Sequence, residues 1–363
     1  MADYLARKTQ FGLSFKTDWG ANGDIGGTIT ATPSYTLLAE PSGLKSTPAI
    51  TREEMQLTSS AGLVAEKERS FTDSTSGIHR LGFTAPAFRD SLPLFLFLSL
   101  FKVTETDLTT PNPDNYQHVF VPFADTGIPD FTTPYKPSDS APQVNPPLCS
   151  LFVEWLTGST QGMQYLNDCI LNSLNLTLNV NNQGIARFLN ISGEFVAGSI
   201  TENANSGDST FPAAHSLTTF NNATAFTFSL AGTVSYTGCF KTWGLSINNN
   251  VTSDCRTTGG RVNNYRISPE YMVDFTIPCN DTTDILVSGL LAGTEQTITL
   301  STGTTQTLGY LNIVAKGALT GNLERVIENN VWVYKGQLKC EKSSGNNSLV
   351  VTTCSLTHLI QGA

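Results

Sequence analysis

Alternation constrains this chain most. Residues 171–182, LNSLNLTLNVNN, set Leu174, Leu176, Leu178 and Val180 two apart before running out into asparagines. Residues 240–251, FKTWGLSINNNV, repeat the phrase with Trp243, Leu245 and Ile247. A period of two sends successive side chains to opposite faces, so each phrase describes a half-buried β-strand rather than a helix. Asparagine tolerates the backbone of tight turns, and GIARFLNISGEFVAGSI at 184–200 reads as the return strand of a long hairpin.

The likeness continues downstream, where Ile191, Ser192, Glu194 and Phe195 find Ile267, Ser268, Glu270 and Tyr271. Further strands are expected at 34–40, 50–60, 76–85, 115–123, 148–156 and 225–236, and in QTITLSTG, LGYLNIVAKG and NVWVYKGQLKCE. The apolar run PAFRDSLPLFLFLSLF at 86–101 is expected to form a helix that plugs one side of a sheet, with Pro93 either kinking it or marking its start. A second helix is expected at 280–293, opening on Asn280 and Asp281 and closing at Gly293. Strand, strand, helix, strand, strand thus occurs at 50–156 and again at 240–318, which supports two related domains. The echoed phrases align the halves in another phase. Element order is preferred, because asparagine-turned alternating hairpins arise easily by chance.

Charged residues make up only 14% of the chain, against roughly a quarter in a typical soluble domain, and Thr, Ser, Asn and Gly fill the deficit. That suits strands whose outer faces are covered by other subunits. Lys and Arg number 21 against 30 Asp and Glu, a net charge of −9 with no basic run, which argues against tight phosphate binding. No apolar leader opens the chain and LPLFLFLSLF at 92–101 is far short of a membrane span, so a soluble protein is expected.

Chemistry is sparse. Hydrolase, nucleotide-binding and metalloprotease motifs are missing, as is the EF-hand pattern. His79, His118, His215 and His358 lie far apart, so they read as satisfied or exposed histidines rather than a metal site. Glu53 with Glu54 and Glu66 with Glu68 read as solvated or interface faces, and Trp155, Trp243 and Trp332 as core more readily than as sugar platforms. Seven cysteines (Cys149, Cys169, Cys239, Cys255, Cys279, Cys340, Cys354) without a CxxC are expected as reduced, mostly buried thiols, with Cys239–Cys255 or Cys340–Cys354 as possible bridges. The sequons at Asn175 and Asn190 belong to the Thr/Asn bias.

Taken together, YQHVFVP, CSLFVEW, YLNDCILNSLNLTLNVNNQGIARFLNISGEF, FTFSLAGTVSY, WGLSINNNV and YLNIVAKG resemble the tail tube proteins of long-tailed bacteriophages, in the branch that carries the tube fold twice; the likeness covers about residues 30–340. It implies a mainly β chain of two tandem β-sandwich or barrel domains, each with a flanking helix, whose strands join neighbours into a ring. The division expected is an arm at 1–30, a first domain at 31–210 with a proline-rich excursion at 124–147, a second domain at 211–340 and a tail at 341–363. The implied function is a virion structural subunit, not an enzyme, with no cofactor, metal or catalytic residue. Three copies would make a pseudo-sixfold ring, and rings assembled in the host cytoplasm would stack around the tape measure protein, meet tail terminator and tail-tip proteins, and conduct DNA. A carbohydrate-binding β-sandwich module is the alternative, and an esterase or glycosidase on a β scaffold a third reading.

Overall fold

The computed structural model describes residues 10–15, 35–39, 44–47, 51–55, 69–73, 79–108, 115–122, 147–157, 160–180, 187–204, 218–220, 225–232, 235–256, 262–280, 283–285, 293–320, 323–343, 345–357 and 359. In chain order the strands are β1 (Gln10–Phe15), β2 (Tyr35–Leu37), β3 (Lys45–Thr47), β4 (Thr51–Met55), β5 (Arg69–Asp73) and β6 (His79–Pro86), then helix α1 (Leu92–Leu100). There follow β7 (Phe101–Asp107), β8 (Tyr116–Pro122), β9 (Cys149–Thr157), β10 (Thr160–Asn179) and β11 (Asn190–Ala204). The second half holds β12 (Thr227–Ala231), β13 (Tyr236–Gly238), β14 (Thr242–Asn248), β15 (Thr252–Arg256), β16 (Val262–Arg266) and β17 (Glu270–Pro278). It ends with β18 (Gln296–Thr302), β19 (Leu311–Leu319), β20 (Glu324–Glu328), β21 (Val331–Cys340) and β22 (Leu349–Ser355).

The molecule is mainly β, and among the described residues all strand pairings are antiparallel. Its spine is one run of neighbours in the order β3, β6, β11, β10, β14, β17, β21, β20. Strand β10, at 20 residues and roughly 65 Å, keeps β11 along one edge while the other passes from β9 to β14. The handover needs irregular backbone, and Asp168 supplies it with φ 53 beside a shift of register. From β9 the sheet continues to β1 and β2. From β21 it continues through β19 to β18, β12 and β13 on one side and to β22, β8 and β7 on the other. No path through these pairings returns to its start. The sheet is therefore open, and the barrel alternative is not realised within one chain, because its end strands have no partner in it among the described residues.

Strand β19 hands its edge from β22 at Leu311–Ala315 to β21 at Gly317–Leu319. At that point a Cβ on Gly317 would lie 1.8 Å from the Lys339 carbonyl oxygen, so only glycine fits. The expected separate tail is instead internal structure, with β22 lying between β19 and β8. Its continuation is held by two carboxylates: Leu356 N–H donates to Asp90 Oδ1 at 3.0 Å and Leu359 N–H to Glu105 Oε2 at 2.8 Å.

Helix α1, LPLFLFLSL, is buried on every side, as an all-apolar helix must be. Pro93 lies in its first turn and starts rather than kinks it. Phe95 stacks on Phe83 of β6, with centroids 4.6 Å apart. Phe101 then ends the helix in a left-handed turn at φ 67 and opens β7 at once. Of the expected second helix, a 3-10 turn at Thr283–Ile285 is described, where Thr283 N–H donates to Asn280 Oδ1 at 2.9 Å; residues 286–292 lie outside the described residues. So do 123–146, which contain most of the proline-rich excursion, and 205–217, where the boundary near 210 falls. One buried apolar cluster runs from Phe11 to Leu359 and draws on both sides of that boundary.

The asparagine knots fasten loops to the handover in β10. Asn249 is fully buried, and its Nδ2 donates to the carbonyls of Leu171 at 2.9 Å and Ser99 at 3.2 Å. Asn172 Oδ1 accepts the N–H of Val251 at 2.8 Å. The loop after β14 is thereby tied to both β10 and the end of α1.

Candidate assembly surface

The residue types that carry chemistry are scattered. His79 and His118 are buried on β6 and β8, and His118 Nε2 lies 2.9 Å from Glu105 Oε2; His215 and His358 lie outside the described residues. Among the described residues no three His, Cys, Asp or Glu side chains gather in a group fit for a metal ion. Glu53 and Glu54 lie on β4 with their side chains undescribed, and Glu66 and Glu68 fall outside the described residues. Trp243 is core at 2% exposure, Trp155 lies on β9 with its side chain undescribed, and Trp332 departs from the core expectation at 49% exposure.

Cys149, Cys169, Cys340 and Cys354 are free and buried, Cys279 is half-buried and Cys239 exposed. The Cys340–Cys354 bridge does not form. Burial pushes the Cys354 thiol up to about 11, so it packs as an apolar group. Asn175 and Asn190 are half-buried on their strands, and Asn175 Oδ1 accepts from Ser246 Oγ at 2.5 Å. Among the described residues no helix is long and apolar enough to cross a membrane.

What the structure does assemble is a broad two-faced sheet. One face is apolar and buried: Leu81 and Phe83 of β6, Leu174, Leu176 and Leu178 of β10, Trp243, Leu245 and Ile247 of β14, and Val273 and Phe275 of β17. The other carries short polar groups in rows across the strands, one of which runs Asn190, Thr177, Gly244, Asp274, Gln337. Three of its cations are matched. Arg80 engages Glu194, Lys339 Nζ lies 3.2 Å from Glu270, and Lys335 Nζ lies 2.6 Å from Glu328. The Lys335 hydrogen bond holds the Glu328 carboxyl below its ordinary range.

The two ends of its eight-strand spine are β3 and β20, each hydrogen-bonded along one edge only among the described residues. The hairpin β20–β21 turns at Asn329 and Asn330, whose φ of 50 and 63 suit a two-residue hairpin turn. On its core-side face Ile327 is 59% exposed and stands opposite Trp332. The Arg325 guanidinium lies 5.3 Å from the Trp332 ring centroid and stiffens the pair. Large apolar groups beside an unpaired strand edge template further pairing. Strand β20 carries no alternating pattern, so the sequence reading passed it over; the paired asparagines between two short apolar runs were the available signal. Comparison with protein-family models and with curated proteins finds no match.

Proposed function

We propose that the chain is a self-assembling structural subunit of a phage-tail-like tube, in which two tandem copies of one fold stand side by side in each chain. The support is strand order. In the first half the central strands β3, β6, β10 and β11 occupy places one, two, four and three of the sheet; in the second half β14, β17, β20 and β21 occupy the same places in the same order. In each half helical structure follows the second strand, at α1 and at Thr283–Ile285, and an antiparallel hairpin follows that, at β7–β8 and β18–β19.

A unit repeated by translation along a sheet is one that further chains can continue, and closure into a ring removes the exposed edges. With two units per chain, three chains would supply a pseudo-sixfold ring. The polar face would line the lumen, where its matched charges and short neutral groups would let DNA pass without gripping phosphate. Rings of this kind stack around a tape measure protein and end on terminator and tip proteins in the virion tail, with assembly in the host cytoplasm and no catalytic step. Negative-stain microscopy of the purified protein tests the proposal. Hollow rings or tubes with three chains per ring are expected; featureless monomers at all concentrations, or monomers that bind glycans, would overturn it.

A further inference from the structure

We propose that β20 of one copy pairs antiparallel with β3 of a second copy, an inference that rests on the tube reading above and names its lateral contact. The chain contains the template for this joint. Within one molecule the fourth strand of the first unit, β10, pairs antiparallel with the first strand of the second unit, β14, from Ser173↔Asn248 to Asn179↔Thr242. Strand β20 is the fourth strand of the second unit, and the strand that stands where β14 stands is β3 of the next copy.

Three observations converge on that partner. Polarity agrees, because the eight strands alternate in direction from β3 to β20, so a second copy's β3 continues the alternation. Burial agrees. The core-side residues of β10 at the internal joint, Leu174, Leu176 and Leu178, are at most 1% exposed in the core cluster that spans the joint, whereas Ile327 at the same place in β20 is 59% exposed. Charge agrees as well. On the polar face β20 presents the exposed Glu324, whereas β3 presents the exposed Lys45; Glu328 and Arg80 are already engaged by Lys335 and Glu194 within the chain. Opposite charges across a ladder favour pairing and disfavour the β20–β20 and β3–β3 alternatives. A contact between unlike edges is heterologous, and it closes into a ring when the rotation allows.

The test uses the full chain with Cys239 replaced by Ser. Lys45→Cys and Val326→Cys are made separately and together, and oxidised with a mild catalyst. The double variant is expected to give a ladder of disulfide-linked oligomers on denaturing gels, neither single variant more than a trace. Independently, Lys45→Glu is expected to raise the critical concentration for polymer roughly tenfold, Glu324→Lys likewise, and the double exchange to recover most of it. Thermal melting of each variant as monomer checks that the fold is intact. Hollow polymer that neither crosslinks between 45 and 326 nor responds to the exchanges overturns this contact and leaves the tube reading standing. No polymer in the parent chain overturns both.

Discussion

Replacing Asn249 with alanine removes the amide that ties the post-β14 loop to the bend in β10. Two acceptors lose their donor, the Leu171 carbonyl at 2.9 Å and the Ser99 carbonyl at 3.2 Å, in a site where Asn249 is 0% exposed and water has no access. Each stranded buried acceptor costs about 1–3 kcal/mol, and taking the low end for both with a small cavity gives about 3 kcal/mol. Asn250→Ala is the control. It is exposed and gives up one amide contact, to the Ser268 carbonyl at 2.8 Å, and a left-handed backbone at φ 48, about 1 kcal/mol together. Asn249→Asp separates hydrogen bonding from packing, since an ionised carboxylate has no donor and faces two carbonyl oxygens. Its folded pKa would be raised, so its penalty is small at low pH and grows as pH rises through the unfolded value of about 3.9. Urea unfolding followed by tryptophan fluorescence at pH 7 and pH 4 reads all three. A loss below about 0.5 kcal/mol for alanine, or an aspartate variant no worse than alanine and indifferent to pH, would refute the account.

Gly317→Ala places a methyl 1.8 Å from the Lys339 carbonyl oxygen and is expected to cost about 3 kcal/mol by chemical denaturation, since backbone must move to admit it. Among the cysteines with described side chains, a thiol-reactive dye should label Cys239 at once, while Cys149, Cys169, Cys340 and Cys354 wait for unfolding; fast labelling of Cys354 would contradict its burial and its thiol value near 11. Burial raises the Glu154 carboxyl above its ordinary value of 4.5, so ionisation disfavours the folded state as pH rises through that value. Glu154→Gln should therefore stabilise the protein at pH 7 and lose that gain below pH 4.5, as read by melting temperature across pH.

Local pattern made the strands legible, because alternation at Leu174–Leu178 and Trp243–Ile247 reports which face is buried whatever the partner is. The apolar run before Phe101 was legible as core but ambiguous in type, and the first-turn place of Pro93 resolves it. Partner choice was not legible. The pairing of β22 with β8 joins Val351 to Phe120, and nothing near either residue announces the other. The free edge was hidden for another reason: β20 reads ERVIE, with a charge and an apolar group together on its core side, so it lacks the amphipathic signature of a strand that buries itself within its own chain.

The two echoed phrases turn out to be neighbours, Leu174 across from Ile247, Leu176 from Leu245 and Leu178 from Trp243. Adjacent strands of a two-faced sheet must alternate in phase, so their likeness follows from adjacency and needs no common ancestor. In the strand order proposed above to repeat, they hold unlike places, β10 fourth and β14 first. A copying event preserves place, so the comparison that bears on duplication sets β6 against β17 and β10 against β20, the phase that element order selects. On that alignment the buried leucines of β10 correspond to the face of β20 that carries Ile327 at 59% exposure, beside the edge where a strand of a second copy is proposed to pair.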